Sequence, residues 1–227
     1  MTTTMVVTID GPAGAGKSTV AKALARRLDV AFMDTGAMYR ALTVKALRRK
    51  VNLEDEGALI SLAHETHIDL LYEPGRPLQV ILDGEDVSEA IRTQEVTNKT
   101  YFIARTPGVR EVMVHWQREM AGRRSLVGDG RDLGTVVFPQ AAYKFYLDAD
   151  VKVRSQRRID ELRAKGQAVD EMALARDLAE RDRQDFTRKV GPLKKADDAI
   201  FVDSTGMSVD EVVELMVQHI RSNGRRV

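Results

Sequence analysis

Residues 11–18 read GPAGAGKS, a full match to the pattern of a glycine, four residues, then Gly-Lys-[Ser/Thr]. This is the feature that most limits the fold, because the pattern works only where a strand runs into a loop and the loop into a helix. Gly11, Gly14 and Gly16 give the backbone conformations closed to residues with a Cβ. The stretch Gly11-Pro12-Ala13-Gly14-Ala15-Gly16 can therefore turn several N–H groups inward on one anion. Lys17 adds a point charge for outer phosphates, and the Ser18 hydroxyl is placed to join a Mg2+ shell, with Thr19 closing the candidate site.

The flanking sequence supplies what the pattern needs. Met5-Val-Val-Thr-Ile9 is a short apolar run suited to a strand covered on both faces. From Lys17 to Leu28, the residues Val20, Ala21, Leu24, Ala25 and Leu28 share one helical face, with Lys22, Arg26 and Arg27 opposite. Such a helix aims its unpaired N–H groups and positive dipole end at the anion. A loop that only turned a corner would need neither Lys17 nor Ser18, so the stretch reads as a nucleoside triphosphate site.

Val30-Ala-Phe-Met33 predicts a second strand, and Gly36 in Asp34-Thr35-Gly36 a sharp turn into a helix beginning near Ala37. Ligands of open α/β sheets bind beyond the carboxyl ends of strands, so Asp34, Thr35 and Arg40 should face the crevice; alternatively, Asp34 or Thr35 caps the helix and Arg40 is a surface charge. After a helix at 55–63, the runs 67–72 and 78–82, joined by a turn at Pro74-Gly-Arg-Pro77, read as a hairpin. No crossover helix separates them, which predicts a small antiparallel insert in a parallel-sheet protein. His64 and His67 lack a third ligand nearby and read as surface histidines.

Residues 92–105 read as helical, and Pro107 suits the first position of a helix whose core stripe is Val109, Val112, Met113, Trp116 and Met120. Arg110 lies off that stripe, free to point into a cleft or into water. A strand at Leu126-Val-Gly128 ends in Asp129-Gly-Arg131-Asp132-Leu-Gly134, a charged loop at a strand's carboxyl end. Strands at 144–147 and 199–202 follow, and a closing helix turns Val209, Val212, Val213, Met216 and Ile220 inward. Between these strands lie two helical stretches, about 151–165 and 170–186, broken by Gly166. Residues 152–195 hold 13 Lys plus Arg against 8 Asp plus Glu. This segment reads either as solvated helix faces with pairs such as Arg157 with Glu161 and Arg181 with Asp185, or as a hinged basic flap over phosphates.

With 227 residues and a net charge of +1, the chain is sized for one compact unit, and nothing global suggests nucleic acid or a membrane as partner. The absence of cysteine and of any basic, then apolar leader is read as cytoplasmic. Asn98-Lys99-Thr100-Tyr101 lacks the aspartate of a guanine-reading Asn-Lys-x-Asp, and Leu147-Asp-Ala-Asp150 is a poor match to the paired acids of mechanical ATPases. A short chain with an insert and a basic flap suits phosphoryl transfer to a small acceptor.

Along its whole length the chain resembles the bacterial cytidylate kinases. The resemblance rests on the phosphate loop and on Asp34-Thr-Gly-Ala-Met-Tyr-Arg40, Leu82-Asp-Gly-Glu-Asp-Val87 and Ile91-Arg-Thr-Gln-Glu-Val96. It rests also on Gly128-Asp-Gly-Arg-Asp-Leu-Gly-Thr-Val-Val-Phe138 and on Glu180-Arg-Asp-Arg183 with Arg188. It implies an α/β P-loop kinase with a parallel β-sheet core flanked by helices, a small antiparallel β insert and a helical lid. The core would be about 1–35, 106–150 and 193–227, the monophosphate-binding region 36–105 and the lid 151–192. The implied reaction is ATP plus CMP or dCMP giving ADP plus CDP or dCDP with Mg2+, in a monomer; a kinase of another acceptor such as UMP, or a non-catalytic ATP-binding regulator, are the alternatives. The resemblance assigns Lys17 and the loop amides to ATP, and Arg40 and Arg131, near Thr35, to acceptor phosphate. Arg110, Asp132 and Arg188 would read cytosine, and Arg181 and Asp185 would hold ribose. Lid residues Arg154, Arg157 and Arg158 would close over the phosphoryl group, and Ser18 would hold Mg2+, with Asp129 reaching it through water. Where the family has a small hydroxyl residue beside the pyrimidine, either Thr100 or Tyr101 takes the place.

Overall fold

The five strands β1 (Val6–Asp10), β2 (Ala31–Asp34), β6 (Leu126–Gly130), β7 (Tyr143–Asp148) and β8 (Ile200–Asp203) lie in the order β2-β6-β1-β7-β8, every pair parallel. A computed structural model of the chain describes residues 4–73, 75–164, 166 and 168–223. Helices cover both faces of this sheet, which explains why β1 is apolar without alternation: Val7, Thr8 and Ile9 are all fully buried. Register places the strand ends side by side, with Asp34 opposite Asp129, Asp10 opposite Gly130 and Asp148 opposite Asp203. An acidic row therefore marks the carboxyl edge of the sheet, where the phosphate loop leaves β1.

α1 (Lys17–Leu28) has the predicted bounds, and α8 (Val209–Asn223) packs on it through Val212, Val213, Met216, Val217 and Ile220. Val209, expected inward, is 39% exposed: as the first residue of α8 it faces the cleft. α2 (Thr35–Arg48) starts two residues earlier than expected, because the Asp34 carboxylate accepts from Ala37 N–H at 2.7 Å and caps it. Gly36 is thus no turn but part of the first helical turn. Its hydrogen side chain leaves room for Arg40, whose Nη1 would lie 3.1 Å from an added Cβ.

α3 (Glu56–His64), capped by Asp55, leads into the antiparallel sheet of β3 (Ile68–Leu71), β4 (Gln79–Leu82) and β5 (Glu85–Asp86). Pro74 of the predicted turn lies outside the described residues, as do residues 1–3, 165, 167 and 224–227. His64 and His67 are exposed. α4 (Gln94–Arg105) packs against α2, and α5 (Pro107–Arg123) begins with proline as predicted. β6 runs on through Asp129 and Gly130, two residues past the predicted end. It is followed by an unpredicted π-helical turn, Leu133–Val137, whose Leu133 and Gly134 N–H groups donate to the Asp10 carboxylate at 2.9 and 2.7 Å. α6 (Val151–Ala164) and α7 (Glu171–Thr187) are the predicted pair of basic helices, with Gly166 between them at φ +72°. Among the described residues, no helix is long and apolar enough to cross a membrane.

Candidate active site

The phosphate loop leaves β1 so close to the end of β7 that a Cβ on Gly11 would collide with Leu147 O. Gly16, immediately before the helix, holds φ +87°, a left-handed value suited to glycine. Lys17, buried at 6% exposure, donates from Nζ to Pro12 O at 2.6 Å, so the lysine folds back along its own loop. Burial, then the nearby Arg131 charge, hold its pKa well below the usual lysine value. Ser18 Oγ donates to Asp129 Oδ2 at 2.5 Å. Asp129 is itself buried, and burial, then the Asp34 carboxylate, raise its pKa to about 7. Among the described residues its Oδ1 has no hydrogen-bond partner. A hydroxyl and a carboxylate with an unused, buried oxygen fit a hard divalent cation, which would relieve the desolvated charge.

Across the cleft, α5, the end of β6 and the end of α7 bring together a second cluster. Arg110, 2% exposed, donates from Nη2 to Asp132 Oδ2 and from Nη1 to Ala104 O, with its guanidinium over the Tyr39 ring at 5.7 Å. Arg188 donates to the other Asp132 oxygen at 3.3 Å and from Nε to Gly191 O at 2.5 Å. Arg131 Nε donates to Asp185 Oδ2 at 2.6 Å, and Asp185 also faces Arg188 at 3.8 Å. Burial works to raise the Asp185 pKa, yet Arg131 and Arg181 outweigh it and hold the carboxylate below its usual range. The expected Arg181–Asp185 ion pair is thus replaced by Arg131–Asp185. Among the described residues Arg181 is in no ion pair, and burial, then Arg131, push its pKa down to about 10.

Of the three lid arginines, Arg157 and Arg158 line the cleft. Arg157 donates to Ser204 Oγ at 3.0 Å and Ser204 O at 2.6 Å, and Glu161, expected to pair with it, bonds Arg158 at 2.6 Å. Arg154 turns away, buried against Ala149 O, Ala13 O and Asp182, because its position on α6 faces the loop backbone.

The cleft encloses ≈ 640 Å³ and runs from the loop residues Ala13 to Thr19 past Thr35, Arg40 and Arg181 to Arg110, Asp132 and Arg188. Thr35 donates to Asp129 O at 2.7 Å, and Arg40 meets Asp34 at 3.3 Å, so Asp34 both caps its helix and faces the crevice. Four residues singled out from sequence do not line it: Gly11 and Pro12 form the underside of the loop, Arg154 is engaged as above, and Tyr101 packs edge-on to Phe102 beneath Arg105. Thr100 lines the cleft instead, its Oγ1 bonded to Val96 O at 2.6 Å and 3.2 Å from Thr43 Oγ1. Sequence reasoning missed Asp10, which anchors the loop carrying Arg131 and Asp132, and Ser204, which holds Arg157. An acid directly before the phosphate loop was the available signal for the first; nothing local pointed to the second.

A family model described as cytidylate kinase matches residues 7–222. The chain is 51% identical over 217 residues to the cytidylate kinase of Desulforamulus reducens, covering 96% of this chain and 97% of that one. It is 50% identical over 212 residues to the cytidylate kinase of Geobacillus sp. strain WCH70, covering 93% and 94%. Among solved structures, an uncharacterized protein from Eubacterium ventriosum is similar with a TM-score of 0.54 and 13% identity, covering 96% of this chain and 98% of that one, a likeness of fold.

Proposed function

The chain belongs to the cytidylate kinase family and is a nucleoside monophosphate kinase, and from that premise we propose the reaction ATP plus CMP or dCMP giving ADP plus CDP or dCDP. The observation that carries the choice of base is Asp132, a buried carboxylate at the far end of the cleft, held between Arg110 and Arg188. Cytosine presents an N4 donor and N3 and O2 acceptors, matched by a carboxylate and guanidinium groups. Uracil replaces the donor with a carbonyl, which would face Asp132 with like partial charge. Thr100 lines the cleft and would meet the pyrimidine with its hydroxyl, and Asp185, which also lines it, would hold the ribose.

Arg40 and Arg131 would hold the acceptor phosphate, one oxygen of which attacks the ATP γ-phosphorus in line as the bond to the β-phosphate oxygen breaks. Lys17, Arg157, Arg158 and Arg181 face the space between loop and acceptor cluster, where charge spreads over the transferring group. Ser18 and Asp129 would hold Mg2+, which when bound supplies charge neutralisation at the phosphates. In this reading α6 and α7 form the lid, and α2, α4 and the hairpin sheet the acceptor side.

A coupled assay of ADP release against CMP, dCMP, UMP and AMP tests the proposal. Turnover with CMP and dCMP well above UMP and AMP is expected. A preference for UMP, or ADP release indifferent to the acceptor, would remove Asp132 from base reading.

A further inference from the structure

Arg154 is not idle for being outside the cleft. Its Nη1 donates both to Ala13 O at 2.9 Å and to Asp182 Oδ2 at 2.6 Å, while Asp182 Oδ1 accepts from Ala13 N–H at 3.2 Å. One ion pair therefore grips both polar groups of a single phosphate-loop residue. Its halves come from different helices, Arg154 from α6 and Asp182 from α7, and both residues are buried, at 7% and 9% exposure. The loop also lies flat on α6, since a Cβ on Gly14 would sit 3.1 Å from Arg154 Cβ and 3.1 Å from Arg154 O. Among the described residues, the other ion pairs made within or between these two helices, Arg158–Glu161, Arg163–Glu171 and Arg183–Glu180, are on the surface, where such pairs contribute little. A buried pair carries a desolvation cost that is offset only when its remaining protons and lone pairs are used. Here they are used on the backbone of the loop.

We propose that Arg154 and Asp182 are positioning residues that clamp the Ala13 peptide and thereby set the amides of residues 14–18 in the shape that receives a triphosphate. Neither touches the reacting atoms. Because the clamp is complete only when α6 and α7 are both docked, the position of the lid and the shape of the loop are one variable. The inference rests on the loop's role in binding ATP, not on the identity of the acceptor.

The test compares wild type with Asp182→Ala and with the double variant Arg154→Met/Asp182→Leu, which replaces a buried pair by apolar groups of similar volume and so retains the fold if Asp182→Ala does not. Hydrogen exchange of residues 13–16 is measured without nucleotide, beside KM for ATP and for CMP. Loss of the clamp raises exchange in the loop and raises KM for ATP about tenfold, as for the loss of one charge-assisted bond, with KM for CMP within about twofold. Asp182→Asn, which keeps an acceptor for Ala13 N–H, recovers part of the KM for ATP. Unchanged loop exchange and unchanged KM for ATP in the folded double variant would overturn the proposal and leave the pair a packing feature. Exchange is read with no acceptor present, so an unexpected acceptor preference, which would sink the base-reading assignment, leaves this result standing.

Discussion

The two ends of the cleft differ in how their buried and half-buried cations are compensated. At the acceptor end, Arg110 and Arg188 share Asp132, and Arg131 bonds Asp185. At the proposed transfer point Arg158 pairs with Glu161, whereas Lys17, Arg157 and Arg181 are in no ion pair among the described residues; Lys17 and Arg157 rest on backbone carbonyls and a serine. Asp129, beside Lys17, accepts from Ser18. Protein charges thus complete one end, where the proposed acceptor would bring its neutral base, and leave most cations of the other unpaired, where the proposed reaction would bring phosphates. The depressed pKa values of Lys17 and Arg181 come from burial, then the Arg131 charge, which the nearby carboxylates Asp129 and Asp185 offset only in part.

The contrast predicts that removing a cation from the transfer point costs turnover and removing the anion from the acceptor end costs discrimination. Lys17→Ala is expected to lower kcat by at least about a hundredfold while leaving the fold intact, as judged by melting, since the charge serves a bound anion and not the core. Turnover within a few-fold of wild type would take Lys17 out of the mechanism. Asp132→Ala should reduce the CMP over UMP preference in kcat/KM by roughly 1–3 kcal/mol. An unchanged preference would show that the paired cluster is structural. Arg157→Ala is expected to lower kcat about tenfold with smaller changes in either KM, because its charge matters most in the transition state; a pure KM effect would move it to ground-state binding.

The smallest effect concerns stability. The Asp129 pKa is raised from 3.8 to about 7 in the folded protein, so between these values the folded state holds more protons than the unfolded one. The stability associated with this group is greatest below about pH 4, falls as pH rises toward 7, and is flat above. Asp10, raised to about 6, acts in the same direction. Asp129→Asn should therefore raise the Tm of the nucleotide-free protein at pH 8 by roughly 2–4 °C while impairing turnover. A lower Tm in a folded variant would mean that the buried Asp129 charge is compensated within the folded protein itself.

How far the sequence discloses this arrangement depends on the range of the interactions. The loop and α1 were legible to the residue, because strand, glycines and amphipathic face are local signals. The hairpin insert was legible for the same reason. Thr100 could have been preferred to Tyr101, since it shares helical spacing with buried Val96 and Ile103 whereas Tyr101 is turned off that face. The fates of the lid arginines could not be read. Arg154 is fixed by Asp182, 28 residues on, and Arg157 by Ser204, 47 residues on, while the rule of pairing four residues apart suggested Glu161 and Asp185 for the wrong partners. Gly36 misled because glycine beside Asp-Thr is turn chemistry, and only the packing of Arg40 against it explains its place in a helix.

The contrast between the two ends is tested most directly by melting the nucleotide-free protein with inorganic tripolyphosphate and, separately, with cytidine. Tripolyphosphate carries the charge without the base, and cytidine the base without the charge. An anion-starved transfer point predicts that tripolyphosphate raises Tm by several degrees, roughly 2–4 °C for each kcal/mol of binding, with the gain shrinking as salt rises. Cytidine should raise it by no more than about 1 °C, because the acceptor end is already neutralised by its own carboxylates. Equal stabilisation by the two, or a larger effect of cytidine, would contradict the account.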